Sequence, residues 1–186
     1  MAERAGVGMS ALYRRYPSKE ELLQQLCADG LDRYIEEVEA ALADDGDEWT
    51  SFAVFMRRAV DANANALVTK LAGTFSPSPA LQTAAERAQS LNVELFDRTK
   101  ASGAIRADVE VTDLSLIFEQ LAVVRLGDEQ RTRQLRRRYL ELALEAIRSS
   151  DGPPLPGPAS TWGELADRWR PSDLRVSRPS ADPAAR

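Results

Sequence analysis

The sequence contains no histidine and a single cysteine, Cys27. The first absence removes His-based catalytic dyads and triads and the commonest transition-metal ligand. The second rules out a disulfide within the chain. Cys27 stands in the apolar run Leu22, Leu23, Leu26, Cys27 and reads as a small core residue. No apolar stretch is long enough to cross a bilayer, and the basic, apolar and small-residue succession of a signal peptide is missing. A cytoplasmic protein with no membrane partner is the expectation. There is also no glycine-rich phosphate loop, no metal-ligand spacing and no nucleophile beside a base. The carboxylates fall on polar helical faces, where solvation accounts for them. The chain is therefore expected not to be an enzyme and to need no cofactor and no metal.

What is present suits a soluble helical protein. Hydrophobic residues make up 44% and charged residues 28% of 186 positions, enough for one sizeable core or for a small module fused to a larger one. The net charge of -5 has the wrong sign for a protein that coats DNA. Its distribution is uneven, however. Arg4, Arg14, Arg15 and Lys19 face only Glu3 in the first 19 residues. A basic end on an acidic body fits contact with a polyanion at one end only.

Helical periodicity runs through most of the chain, and strand-like alternation persists nowhere. Gly6-Val7-Gly8 reads as a tight turn between a short helix over 1–5 and a second over 9–16. Pro17 ends the second helix, and Ser18-Lys19-Glu20-Glu21 predicts a capping box that opens a long helix to about Leu42. Further helices are predicted over 48–72, 79–102, 112–126 and 128–149. Breaks fall at Asp44–Asp47, at Gly73 with Ser76–Pro79, and at Gly103. Residues 151–186 hold seven of the ten prolines, lack sustained periodicity and read as a mostly disordered tail. Within it, 161–170 can form a short helix, and Trp162 and Trp169 can dock on the body.

Residues 1–23 have the physics of a helix-turn-helix: two short helices joined by a glycine-containing turn. Leu12 and Tyr16, four residues apart, face the core. Met9, Ser10, Tyr13 and Arg14 project outward. Arg14 and Lys19 can neutralise phosphates, and the Tyr13 hydroxyl can donate to a phosphate oxygen. The run Ala-Glu-Arg-Ala-Gly-Val followed by Leu-Tyr-Arg-Arg-Tyr-Pro-Ser-Lys-Glu-Glu-Leu resembles the DNA-binding signature of TetR-type transcriptional regulators over about 22 residues. The resemblance implies that 9–16 is the recognition helix. Met9 and Ser10 then face bases, while Tyr13, Arg14 and Lys19 hold the DNA backbone. It also implies a homodimer joined by the last two long helices, and a small, often apolar effector bound in the C-terminal domain that releases DNA. Gly8 stands where the family usually has a serine or threonine cap, and Ala11 where a threonine is common. By the same resemblance Met1 falls within the second helix of the DNA-binding domain, so a start further upstream is expected.

Two other groups of residues are candidates. Phe52, Phe55, Met56, Phe75, Phe96 and Phe118 either line a ligand cavity or fill the core. In 112–126 and 128–149 the apolar residues fall on two faces, which calls for two partners. Leu114, Ile117, Phe118, Leu121 and Val124 form one stripe, while Leu116, Val123 and Leu126 form another. On the last helix Leu135, Tyr139, Leu142, Ala143, Ala146 and Ile147 form a stripe, with Leu140 and Leu144 beside it. Leu116, Val123, Leu126, Leu135, Tyr139, Leu142 and Ala146 serve either interior packing alone or a four-helix seam with a symmetry mate. Arg131, Arg133, Arg136, Arg137 and Arg138 read as a solvated face. The expected protein is all-α: a partial helix-turn-helix over 1–20, a helical ligand-sensing and dimerisation domain over 21–150, and the tail over 151–186. The expected function is a ligand-responsive repressor of a double-stranded operator. The alternative is a helical dimer that binds ligand, or pairs with a longer relative, without binding DNA itself.

Overall fold

The computed structural model describes Tyr16 and residues 18–62, 75–149 and 152–167. The predicted helices over 1–5 and 9–16, with Met9, Ser10, Tyr13 and Arg14, lie outside the described residues except for Tyr16, as does the predicted helix beyond Ala62. Among the described residues there are six helices: α1 (Lys19–Leu42), α2 (Glu48–Asp61), α3 (Pro79–Ala101), α4 (Val111–Val123), α5 (Glu129–Ile147) and the short α6 (Trp162–Ala166).

Local chemistry sets their ends. Ser18 Oγ accepts from the Glu21 N–H at 3.1 Å, the serine half of the predicted box, and Glu20 and Glu21 complement the helix dipole. Asp44 turns the chain after α1 by accepting from the Gly46 N–H at 3.1 Å, and Asp47 caps α2 through Thr50 at 2.8 Å. Ser78 caps α3, with Pro79 in the first turn, where a missing N–H costs nothing. Gly103 follows α3 at φ +80, a left-handed conformation that glycine takes without steric penalty.

The last two long helices depart slightly from the sequence expectation. α4 begins at Val111, one residue before the predicted start, with Glu110 as its cap in a reciprocal box with Asp113. The helix ends at Val123 rather than Leu126, because Val124 turns extended ahead of Gly127 at φ +67. Asp128 is the cap of α5 rather than its first residue. Beyond Ile147 the chain pairs with the α3–α4 loop: Arg106 N–H donates to Ile147 O at 3.0 Å and Ser149 N–H to Ala104 O at 2.8 Å. That pairing ends the helix two residues before the expected Ser149.

The core lies among α1, α2, α3, α4 and α5. α1 packs chiefly on α3 and α2, and α2 lies against α5. Tyr34, Phe55 and Phe118, from three helices, meet edge to face at centroid distances of 5.4, 6.3 and 6.4 Å. That is the arrangement ring quadrupoles favour. Phe52, Met56, Leu95, Phe96, Leu114, Leu140 and Leu144 are buried around them. Each contributes about 1.5–3 kcal/mol of transfer free energy.

Two arginines close helix ends. Arg98 of α3 donates to Leu42 O at 2.7 Å and Ala41 O at 2.9 Å, and its Nε lies 2.6 Å from Glu48 Oε2. Arg136 of α5 is buried and donates to Ala122 O at 3.0 Å and Val124 O at 3.3 Å. A cation at the C-terminus of a helix satisfies carbonyls that have no partner within the helix. The reading of Arg136 as part of a solvated face is thus corrected. It begins the buried stripe Arg136, Leu140, Leu144, Ile147. Arg131, Arg133, Arg137 and Arg138 are exposed.

The first part of the expected disordered tail is held to the body. Arg106 Nη2 donates to Pro153 O at 2.8 Å, Asp108 Oδ2 accepts from the Leu155 N–H at 2.7 Å, and Thr112 Oγ1 donates to Ser160 O at 2.7 Å. A capping box between Thr161 and Glu164 then opens α6. Periodicity misses this segment because backbone carbonyls and amides anchor it, not an apolar stripe. Trp169 lies outside the described residues.

Candidate functional site

Two surfaces stand out. The first is a cavity of about 590 Å³, partly open to solvent and bounded by α1, α3, α4 and α6. α1 contributes Cys27 and Leu31, and the approach to α3 contributes Phe75 and Pro77. α3 contributes Leu81, Ala85 and three polar side chains, Gln82, Glu86 and Gln89. Ser115 and Glu119 come from α4, and Trp162, Leu165 and Ala166 from α6. Gln24 Nε2 donates to Ser76 O at 3.2 Å, tying α1 to the segment that carries Phe75.

The chemistry of that lining is selective. It is mostly apolar, with hydrogen-bonding groups at a few points. Among the described lining residues there is no Lys or Arg. A carboxylate or phosphate buried there meets no cation among those residues, at a cost of several kcal/mol. An apolar molecule gains about 2.5 kcal/mol per 100 Å² of surface removed from water. Burial pushes the Cys27 thiol above its ordinary pKa, so at neutral pH it is an uncharged wall atom.

Of the six aromatic and methionine candidates, only Phe75 reaches this cavity. Phe52, Phe55 and Met56 are fully buried and Phe96 and Phe118 nearly so, all within the main core. Facing positions on neighbouring helices consume these large side chains in packing. The residues that sequence reasoning missed, Leu31, Leu81, Ala85 and Leu165, are spread over elements that the chain brings together only on folding, while Trp162, expected to dock on the body, lines the cavity. Cys27 and Leu31, four residues apart on one face of α1, were the available signal.

The second surface is the outer face of α4 and α5. Val123 is 69% exposed, Leu126 62%, Leu142 56% and Tyr139 50%. Ala146 is exposed as well, and Leu116 and Leu135 are half-buried. All seven residues expected at a dimer seam are therefore accessible in the single chain, and the four large ones form the main apolar exposure of this hairpin. Lys19, the one described residue of the expected DNA-contacting set, is exposed in the first turn of α1.

Among the described residues no helix is long and apolar enough to cross a membrane, and no group of three or more His, Cys, Asp or Glu could hold a metal ion.

The described residues thus form an all-helical body with a mostly apolar cavity and an apolar face exposed on its last hairpin. The family comparison is specific. The profile described as "Transcriptional regulator SbtR-like, C-terminal domain" matches residues 46–149, and that described as "Bacterial regulatory proteins, tetR family" matches residues 1–26. The chain belongs to the TetR family of transcriptional regulators. Among solved structures it is similar to the TetR transcriptional regulator SCO0520 from Streptomyces coelicolor. That likeness has 25% identity and a TM-score of 0.57, over 80% of this chain and 85% of that one. It also shares its fold with the TetR family regulator PfmR from Thermus thermophilus, at 19% identity and a TM-score of 0.53, over 77% and 85% of the two chains. No curated protein matches the chain.

Proposed function

We propose that the protein is a repressor that binds a double-stranded operator as a homodimer and leaves it when a small apolar molecule fills the cavity walled by α1, α3, α4 and α6. The observation that carries this reading is the course of α1. The helix begins with Lys19, next to the segment that resembles the DNA-binding signature, and two turns later supplies Cys27 and then Leu31 to the cavity wall. Eight helical residues span about 12 Å. A continuous helix transmits a tilt with little loss, so a ligand that displaces the wall at Cys27 and Leu31 also moves the DNA-facing end.

Within this reading Met9 and Ser10 face bases, and Tyr13, Arg14 and Lys19 hold phosphates. The seam uses Leu116, Val123, Leu126, Leu135, Tyr139, Leu142 and Ala146, paired with the same residues of a second copy across a two-fold axis. The cavity lining favours an effector without negative charge.

Fluorescence anisotropy on labelled DNA from the region upstream of its own gene tests the proposal. Two chains are compared at two salt concentrations: the 186-residue chain and one read from the next start codon upstream. Binding by either chain that falls steeply with salt supports a DNA-binding regulator. Absence of binding by both chains, on that DNA and on a pool of genomic fragments, refutes it.

A further inference from the structure

We infer that residues 152–167 are a built wall of the effector cavity, and that α6 takes part in selecting the apolar, non-anionic ligand; this rests on reading the cavity as the effector site. Three anchors hold the segment, and each uses a different kind of bond. Arg106 and Asp108 form a two-pronged ion pair, both contacts at 2.9 Å. Each partner also holds the strap: Arg106 reaches Pro153 O and Asp108 receives the Leu155 N–H. Thr112, itself buried at the start of α4, donates to Ser160 O. The third anchor lies immediately before α6, whose own capping box fixes Thr161 against Glu164. The geometry delivers Trp162, Leu165 and Ala166 to the same cavity that Cys27 and Leu31 of α1 line.

A tail that merely rested on the surface would not need such hardware. The Arg106 side chain is only 13% exposed, and the Thr112 hydroxyl would be left without this acceptor if the strap came away. Charge-assisted hydrogen bonds to backbone groups are among the stronger polar contacts of a protein. The wall is therefore fixed before ligand arrives, and replacing α6 side chains reshapes the cavity without touching the core.

The experiment uses the full chain and two readouts. Cys27 is the only cysteine and is 2% exposed, so its rate of modification by N-ethylmaleimide reports opening of the cavity with no ligand present. Binding of Nile red, a neutral apolar dye, reports the site itself. The double variant Asp108→Asn with Thr112→Val removes the charge of one anchor and the hydroxyl of another while conserving shape. It should raise the modification rate and weaken Nile red binding, each roughly tenfold, with helicity unchanged by circular dichroism. Trp162→Ala, on the half-open α6, should weaken Nile red binding several-fold, and it decides the matter if the double variant fails to fold. Unchanged modification and unchanged dye binding in the strap variants overturn the inference, and wild-type dye binding then leaves the effector site standing. Faster modification in variants of a protein that does not bind the dye at all supports the wall but removes the ligand reading on which selection depends.

Discussion

Arg57 on α2 and Glu141 on α5 meet as a fork, Nε to Oε1 at 2.7 Å and Nη2 to Oε2 at 2.8 Å. Arg137 of α5 returns the same grip to Asp61 of α2, with both contacts at 2.7 Å. Because 57 pairs with 141 and 61 with 137, the two helices run antiparallel along this edge. Both pairs are well exposed, so each is worth at most about 1 kcal/mol. Arg57→Ala should lower the melting temperature slightly in low salt, and the difference should shrink in 1 M salt, where screening reaches about 3 Å. The hydrogen bonds from Arg57 hold the Glu141 carboxyl below its usual range. The contribution is therefore present at neutral pH and lost as pH falls through that lowered value. A loss of several kcal/mol in Arg57→Ala, insensitive to salt, would contradict this account.

The exposed hairpin face makes a second prediction. Leu142→Arg or Val123→Arg places a charge at the proposed seam and should shift the protein from dimer to monomer in sedimentation velocity, weakening association at least roughly a hundredfold. Each side chain stands clear of the core, so helicity and monomer melting should hold. A variant that remains dimeric at low micromolar concentration places the interface elsewhere.

Arg136 separates a structural arginine from its solvated neighbours. Arg136→Met leaves the Ala122 and Val124 carbonyls without this donor and should cost about 1–3 kcal/mol in a denaturant titration. Arg138→Met, on the exposed side, should stay within about 0.5 kcal/mol. Equal effects would mean that Arg136 does not cap α4.

Most of the fold is legible in the sequence because helices announce themselves locally. Ser18, Asp47, Ser78 and Asp128 are side-chain caps at the expected breaks, and the two-faced stripes of α4 and α5 separate core from surface. The cavity is not legible in the same way. Its wall gathers residues from 27 to 166, and composition draws attention to phenylalanines, which the core uses first. Arg136 was hidden in a run of five arginines; only its place in register with Leu140 and Leu144 marks it as buried. The strap was hidden by its prolines, since an extended segment fixed by Arg106, Asp108 and Thr112 has no apolar period to detect.

The reassignment of the aromatic residues is itself testable. Phe96→Leu and Phe55→Leu should destabilise the protein by about 1–3 kcal/mol through lost packing and leave Nile red affinity within about twofold. Leu31→Ala should do the reverse, changing dye affinity more than stability. Dye affinity that tracks the Phe96 and Phe55 variants instead would put the ligand in the core region.

The anchor at Asp108 sets a pH range. Arg106, and then the Leu155 N–H, hold its carboxyl well below the ordinary carboxylate range. A lowered folded-state value means that the anchor is intact above about pH 4, the usual aspartate value, and fails only as pH falls below it. Cys27 modification, corrected for the thiolate fraction, should be flat between pH 8 and pH 5. A step in that interval would show that the strap is not held by Asp108.

The most direct measurement of the central claim is the reciprocal coupling between cavity and operator. A neutral compound that displaces Nile red is titrated into the complex of the protein with labelled operator DNA, and its affinity is then measured with and without DNA. The account predicts that saturating compound weakens DNA binding at least roughly tenfold, and that DNA weakens compound binding by the same factor. A compound that fills the cavity while DNA affinity stays unchanged would contradict it.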